Sequence, residues 1–263
     1  NAVTIDQVDG IPNGTIQFTV ESSDPLFQKF KKIKSKHLVQ FNDAYHVNEF
    51  PKYLPMNAVH AKEAITLMIN FSYALSHPLY YDTFVNFDRF KREQAERAGT
   101  TVNGALDWHG NGADADGNYD YFTKAKIEQV YLDWLDSRTI NPAMVGGGAA
   151  FGGGALSSQW ESGYITGHWL GEVSVWSHEY GHHIGYSHSS NLANSGQGGG
   201  QQEMMTNFYK YLIHIQDIPF NDPEILKSYS KRQYLNSTYN KPLFEINQNN
   251  PFLLKYKGEG AWK

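Results

Sequence analysis

The chain has 263 residues, 40% apolar and 19% charged, a balance that supports a sizeable buried core and excludes a disordered polar segment. Its net charge of −5 argues against a general nucleic-acid binder, which needs a basic surface to displace phosphate counterions. The absence of cysteine excludes disulfides, thiolate metal sites, iron–sulfur clusters and a cysteine nucleophile.

Residues 15–20 alternate weakly and read as a strand. Residues 27–39 carry Lys29, Lys31, Lys32, Lys34 and Lys36, which read as a solvated face. Three helical patterns follow. Residues 61–76 place apolar side chains at 61, 64, 65, 68, 69 and 71; residues 81–98 stop at Gly99; residues 121–136 carry Ile127, Val130, Tyr131, Trp134 and Leu135 on one stripe. No apolar run reaches the ~18–20 residues of a membrane span. The most apolar helical stretch, 65–75, is interrupted by Asn70 and Ser72. Glycosylation sequons occur at Asn13, Asn70 and Asn236.

Asp114, Asp116, Asn118 and Asp120 alternate as the oxygen ligands of a calcium loop do. Gly117 falls too early for an EF-hand, and Ala125 stands where the terminal acid is needed. A polar turn ahead of the third helix is therefore the first reading and a structural Ca2+ the second. Beyond Pro142 the composition changes, with 15 of the 24 glycines lying in 146–200. The run Gly146, Gly147, Gly148, Ala149, Ala150, Phe151 cannot hold a stable helix and suits an edge strand or a loop that another backbone approaches closely. It lacks the Gly-Lys-Ser/Thr ending of a phosphate loop. A last helical block covers 203–216, and prolines punctuate the remaining tail.

Residues 178–188 carry the chemistry. His178 and His182 are four apart, so on a helix both imidazoles lie on one face and reach one metal. Glu179 is angled off that face, where it can contact a metal-bound water without occupying the metal. Gly185 can take a left-handed conformation that ends the helix and reverses the chain. The reversal returns His188 as a third nitrogen ligand. Three neutral ligands leave the metal positively charged, with one position open for water. The bland alternative is a helix end decorated with histidines; five fixed positions in one short stretch favour the metal. His183 does not fit the ligand spacing and reads as a partner or surface residue, and His168 reads as structural.

The pattern His178-Glu179-x-x-His182-x-x-Gly185-x-x-His188 is similar to the zinc signature of the metzincin metallopeptidases. That resemblance spans about residues 178–205. It implies an α+β, zincin-like fold in a single catalytic domain over 1–263. An upper subdomain, about 1–185, would hold a mixed twisted sheet with helices above the cleft. A smaller lower subdomain, about 186–263, would be mostly helical and irregular. It also implies a downstream Met-turn beneath the metal, for which Met204 or Met205 is the candidate. The glycine-rich 146–151 would be the edge strand that binds an extended substrate. The chain departs from some branches at Thr206 and Asn207, where a tyrosine ligand would stand; Tyr209 is wrongly spaced for it.

The expected function is a zinc-dependent endopeptidase acting on protein or glycoprotein, with Zn2+ held by His178, His182 and His188 and Glu179 as general base. The rival readings are a surface binding module, or adhesin, on a metallopeptidase scaffold, and a metal-assisted hydrolase of a non-peptide amide. The start at Asn1 is expected of a processed chain or excised domain, and a secreted, periplasmic or cell-surface location goes with it.

Overall fold

The computed structural model describes residues 21–42, 53–102, 105–136, 138–145, 152–153, 156–160, 170–193 and 200–220. The strand read at 15–20, the 146–151 run, His168, the sequons at Asn13 and Asn236, and the proline-rich tail lie outside them.

Helix α1 (Pro25–Phe30) is capped by Asp24, whose carboxylate accepts the amides of Leu26 and Phe27, with Pro25 in the first turn. Not all of the lysine-rich segment faces solvent. Lys29 Nζ donates to the carbonyls of Gln216 and Ile218 at 3.0 and 2.9 Å, tying α1 to a loop 187 residues away in sequence. Strand β1 (His37–Val39) follows.

Helix α2 (Ala58–Ser76) is the longest among the described residues. Its predicted stripe is buried at Ala64, Met68 and Phe71, whereas Ile65 is exposed. From Asn70 to His77 every residue is buried, so the polar groups there need internal partners. Asn70 finds three: it donates to Tyr209 Oη and the Phe220 carbonyl and accepts the Phe220 amide. A fully buried, fully bonded Asn70 is inaccessible to glycosylation in the folded chain.

The single helix expected over 81–98 is two helices, α3 (Pro78–Val85) and α4 (Phe87–Ala98). Asn86 breaks it at φ −123°, ψ 49°, with its side-chain amide donating to the Asp82 carbonyl at 2.7 Å. An Asn that satisfies the preceding turn's carbonyl offers the backbone an alternative to the helical bond. Gly99, at φ 64°, ends α4 as expected.

His77 caps α3. Its Nδ1 accepts the Leu79 amide at 3.0 Å, which requires a neutral ring, and its edge meets Phe208. Burial, the largest influence, lowers its pKa to about 3 from 6.5. The unfolded chain therefore binds a proton below pH 6.5 that the native state refuses, and stability is lost as pH falls from 6.5 toward 3. In metal-free protein, His77→Asn keeps a capping oxygen but cannot titrate. Between pH 7 and pH 4 its stability relative to wild type should improve by on the order of 2–3 kcal/mol in urea unfolding. A pH-independent difference would rule out this role.

Strands β2 (His109–Ala113) and β3 (Tyr119–Tyr121) form an antiparallel hairpin. Helix α5 (Lys124–Leu135) begins three residues later than the pattern suggested, because Tyr121 belongs to β3 and Thr123 supplies the cap. Of its predicted stripe, Ile127, Val130, Tyr131 and Trp134 are buried and Leu135 is half-buried. Strands β4 (Arg138–Val145), β5 (Gly152–Gly153) and β6 (Leu156–Trp160) join β1 in a sheet of order β1-β4-β6-β5. β1, β4 and β6 are parallel; β5 is antiparallel and lies at the edge among the described strands.

Helix α6 (Leu170–His183) packs on β5 and β6 and against helix α7 (Gln201–His214). The core between these layers holds Phe71, Tyr80, Trp134, Trp176, Tyr180 and Phe208. The chain is thus α+β. Among the described residues, no helix is long and apolar enough to cross a membrane.

Candidate metal centre

One side of α6 is fixed to the core. Tyr180 is buried, and its hydroxyl donates to the Trp134 carbonyl at 2.8 Å and meets His37 Nε2 at 2.7 Å. His183, the histidine outside the ligand spacing, is buried and donates from Nε2 to the Thr139 carbonyl of β4 at 3.2 Å. These contacts set the helix's rotation, so that His178 and His182 face away from the core together.

The helix ends as the sequence predicts. Gly185 takes φ 99°, its amide donates to the His182 carbonyl, and the Tyr186 amide donates to the Gly181 carbonyl. That pair of bonds is a Schellman motif. The reversed chain brings His188 back over the helix. The Nε2 atoms of His178, His182 and His188 form a near-equilateral triangle with sides of 3.1, 3.1 and 3.0 Å.

Such a triangle suits a metal. His182 Nδ1 lies 2.7 Å from the Tyr186 carbonyl, which can only accept, so Nδ1 carries the proton and Nε2 presents a bare lone pair. Burial, then the neighbouring His182 and His188, lower the His178 pKa to about 4, which keeps its ring neutral. A tetrahedral centre with ~2.0–2.1 Å metal–nitrogen bonds spaces its ligands about 3.3–3.4 Å apart, within a small ring tilt of the observed triangle. The three histidines can therefore hold a metal ion.

Glu179 is one step round the helix, 4% exposed, and burial alone raises its carboxyl to about 7. A carboxyl poised there can take and return a proton near neutral pH.

The loop carrying His188 is clasped by the segment leading into the β2–β3 hairpin, a connection that no local sequence pattern signals. The Asn111 amide donates to the Gly185 carbonyl at 3.1 Å and accepts the Ser187 amide at 2.7 Å. Asn191 accepts the His109 amide and donates to the Asp107 carbonyl. Ser190 Oγ donates to the His109 carbonyl. Trp108, whose indole bonds the Phe84 carbonyl at 2.6 Å and stacks on Phe87, anchors that segment to the core. Asn111→Ala should weaken zinc affinity by about 10-fold in chelator competition, the low end for outer-shell partners, with His178 and His182 untouched. Unchanged affinity would mean that the loop holds itself.

One expectation needs correction, and of the two readings at Asp114 the structure takes the first. Met204 and Met205 lie within helix α7, fully buried in the core, and not in a tight turn. Residues 201–214 continue an unbroken helix through them. A turn at 190–193 lies against helix α6, and Leu192 within it is fully buried. It approaches so closely that a Cβ on Gly181 would sit 2.5 Å from the Leu192 carbonyl oxygen. Asp114 forms the polar turn: it accepts the amides of Asp116 and Asn118 and the Asn118 side chain, while Gly117 takes φ 83°. Asp114, Asp116 and Asp120 do not converge on a point as the three histidines do. Of the substrate-strand candidates, Gly146 to Phe151 lie outside the described residues; the next two glycines form β5.

No family model, no curated protein and no solved structure matches the chain.

Proposed function

We propose that the chain is a zinc-dependent endopeptidase of metzincin type. The observation carrying this reading is the convergence of three histidine Nε2 atoms at 3.0–3.1 Å beside a buried glutamate raised to about 7. Zn2+ at this site would supply a Lewis acid that lowers the pKa of a water toward ~7 and polarises an amide carbonyl. Zinc is the metal of choice because three nitrogens and a water meet its tetrahedral preference. Glu179 takes the proton of the attacking water and delivers it to the leaving amine nitrogen. The antiparallel edge strand β5, packed beside α6, supports binding of an extended protein or glycoprotein chain by strand addition. A secreted, periplasmic or cell-surface location goes with this reading.

The test is mass-spectrometric cleavage profiling on a peptide and glycopeptide library, with native mass spectrometry for metal content. Wild type should carry one zinc and cut; Glu179→Ala should keep the zinc and leave the library intact. Equal cleavage by both, or no bound zinc, would overturn the proposal. Zinc-loaded wild type silent on every substrate would replace it with a binding module.

A further inference from the structure

Helix α7 reaches α6 through two consecutive glutamine side chains. The first, Gln201, is fully buried and satisfied at both ends: its Oε1 accepts Ser177 Oγ at 2.6 Å, and its Nε2 donates to Tyr80 Oη at 3.1 Å. The second, Gln202, is half finished. Its Nε2 donates to Ser174 Oγ at 2.9 Å, one helical turn before the ligand His178, but its Oε1 is buried without a hydrogen-bond partner. His178 Nδ1 is likewise buried without a partner. One atom is an obligate acceptor. The other becomes an obligate donor once Nε2 is engaged by a metal, because a neutral imidazole then keeps its proton on Nδ1. The two atoms are complementary, lie on facing helices, and would each satisfy the other.

We infer that Gln202 is a positioning residue for the metal ligand His178, its Oε1 accepting the Nδ1–H of the ring when Nε2 holds the metal. This inference rests on the metal-site reading above. Ser174 fixes the amide's orientation by taking its N–H, so that the oxygen faces the imidazole. The consequence is a preset tautomer and ring angle at the first ligand. His182 obtains the same from the Tyr186 carbonyl.

The experiment is zinc titration of the full chain by chelator competition, together with 1H–15N spectra of the imidazoles in the zinc-loaded wild type. Gln202→Leu should lower zinc affinity by about 10–100-fold, the range for outer-shell partners of metal ligands, with unchanged circular dichroism. Gln202→Glu should restore affinity to the wild-type level or above, because a carboxylate is the stronger acceptor. The His178 Nδ1–H should appear hydrogen-bonded and slow to exchange in wild type. Wild-type affinity in Gln202→Leu would overturn the inference. Where Gln202→Leu fails to fold, a fast-exchanging His178 Nδ1–H in loaded wild type overturns it by itself. Wild type that binds no zinc overturns the metal-site reading, and this inference with it.

Discussion

Glu179→Gln is expected to reduce peptide hydrolysis by at least ~10²–10⁴-fold while leaving one zinc per chain. The amide keeps the volume and the hydrogen-bonding outline of the carboxylate but cannot accept a proton. A second effect follows from burial. The native carboxyl titrates near 7 against 4.5 for the ordinary group, so between those values the native state binds a proton that the unfolded chain has released. Stability of the metal-free protein therefore falls as pH rises from 4.5 to 7, and above 7 the fold carries a buried, desolvated carboxylate. Glutamine removes that burden. At pH 8, metal-free Glu179→Gln should exceed metal-free wild type by on the order of 2–3 kcal/mol in urea unfolding, and the two should converge at pH 4. Bound zinc lowers a neighbouring carboxyl's pKa, so the gain should shrink in loaded protein. Turnover within tenfold of wild type would remove Glu179 as the base. A stability difference of the same size at both pH values would show that the carboxyl does not titrate as burial dictates.

Holding an acid in a poorly solvated site costs folding stability and keeps a proton exchangeable near neutral pH. Asn70 and Gln201, by contrast, are buried with the polar atoms of both side chains hydrogen-bonded. The contrast supports reading Glu179 as a functional group.

How much of this was legible in the sequence follows from the range of the interactions. The ligand spacing at His178, His182 and His188, the reversal at Gly185 and the buried stripe of α5 are set by helical geometry over a few residues, and periodicity reports such geometry directly. The break at Asn86 was also local: an Asn four residues beyond Asp82 can bond the carbonyl of the preceding turn. The periodic reading ran past it because apolar spacing continued on both sides. Asn111 was invisible for another reason. Its partners Gly185 and Ser187 are 74 and 76 residues away, and a polar residue in a glycine-flanked hairpin carries no mark of what it will clasp. Met204 and Met205 misled because their distance from His188 suited a turn, whereas a strong helix from Gln201 onward takes them into the core.

Backbone comes very close to helix α6 at Gly181, a position between His178 and His182, and a substitution there sets packing against helix propensity. On helix propensity alone, Gly181→Ala should stabilise α6 by about 1 kcal/mol. The packing argues the reverse. A Cβ at 181 meets the Leu192 carbonyl oxygen at 2.5 Å, Ala193 Cα at 2.9 Å and Ala193 Cβ at 3.0 Å. Two of these are backbone atoms and the third is a Cβ fixed to one, so no side chain can rotate aside. The 190–193 turn must move, and it is held from behind by Ser190 on the His109 carbonyl and by Asn191 on Asp107 and His109. Overpacking against a braced backbone costs about 1–3 kcal/mol, enough to outweigh the propensity gain. Gly181→Ala should therefore be net destabilised in urea unfolding, and Gly181→Val more so. Both should lose zinc affinity, because the displaced turn follows directly after the third ligand, His188, in the same loop. A Gly181→Ala chain that is more stable than wild type and binds zinc equally well would show that the turn yields, and that the close approach is not what holds the third histidine in place.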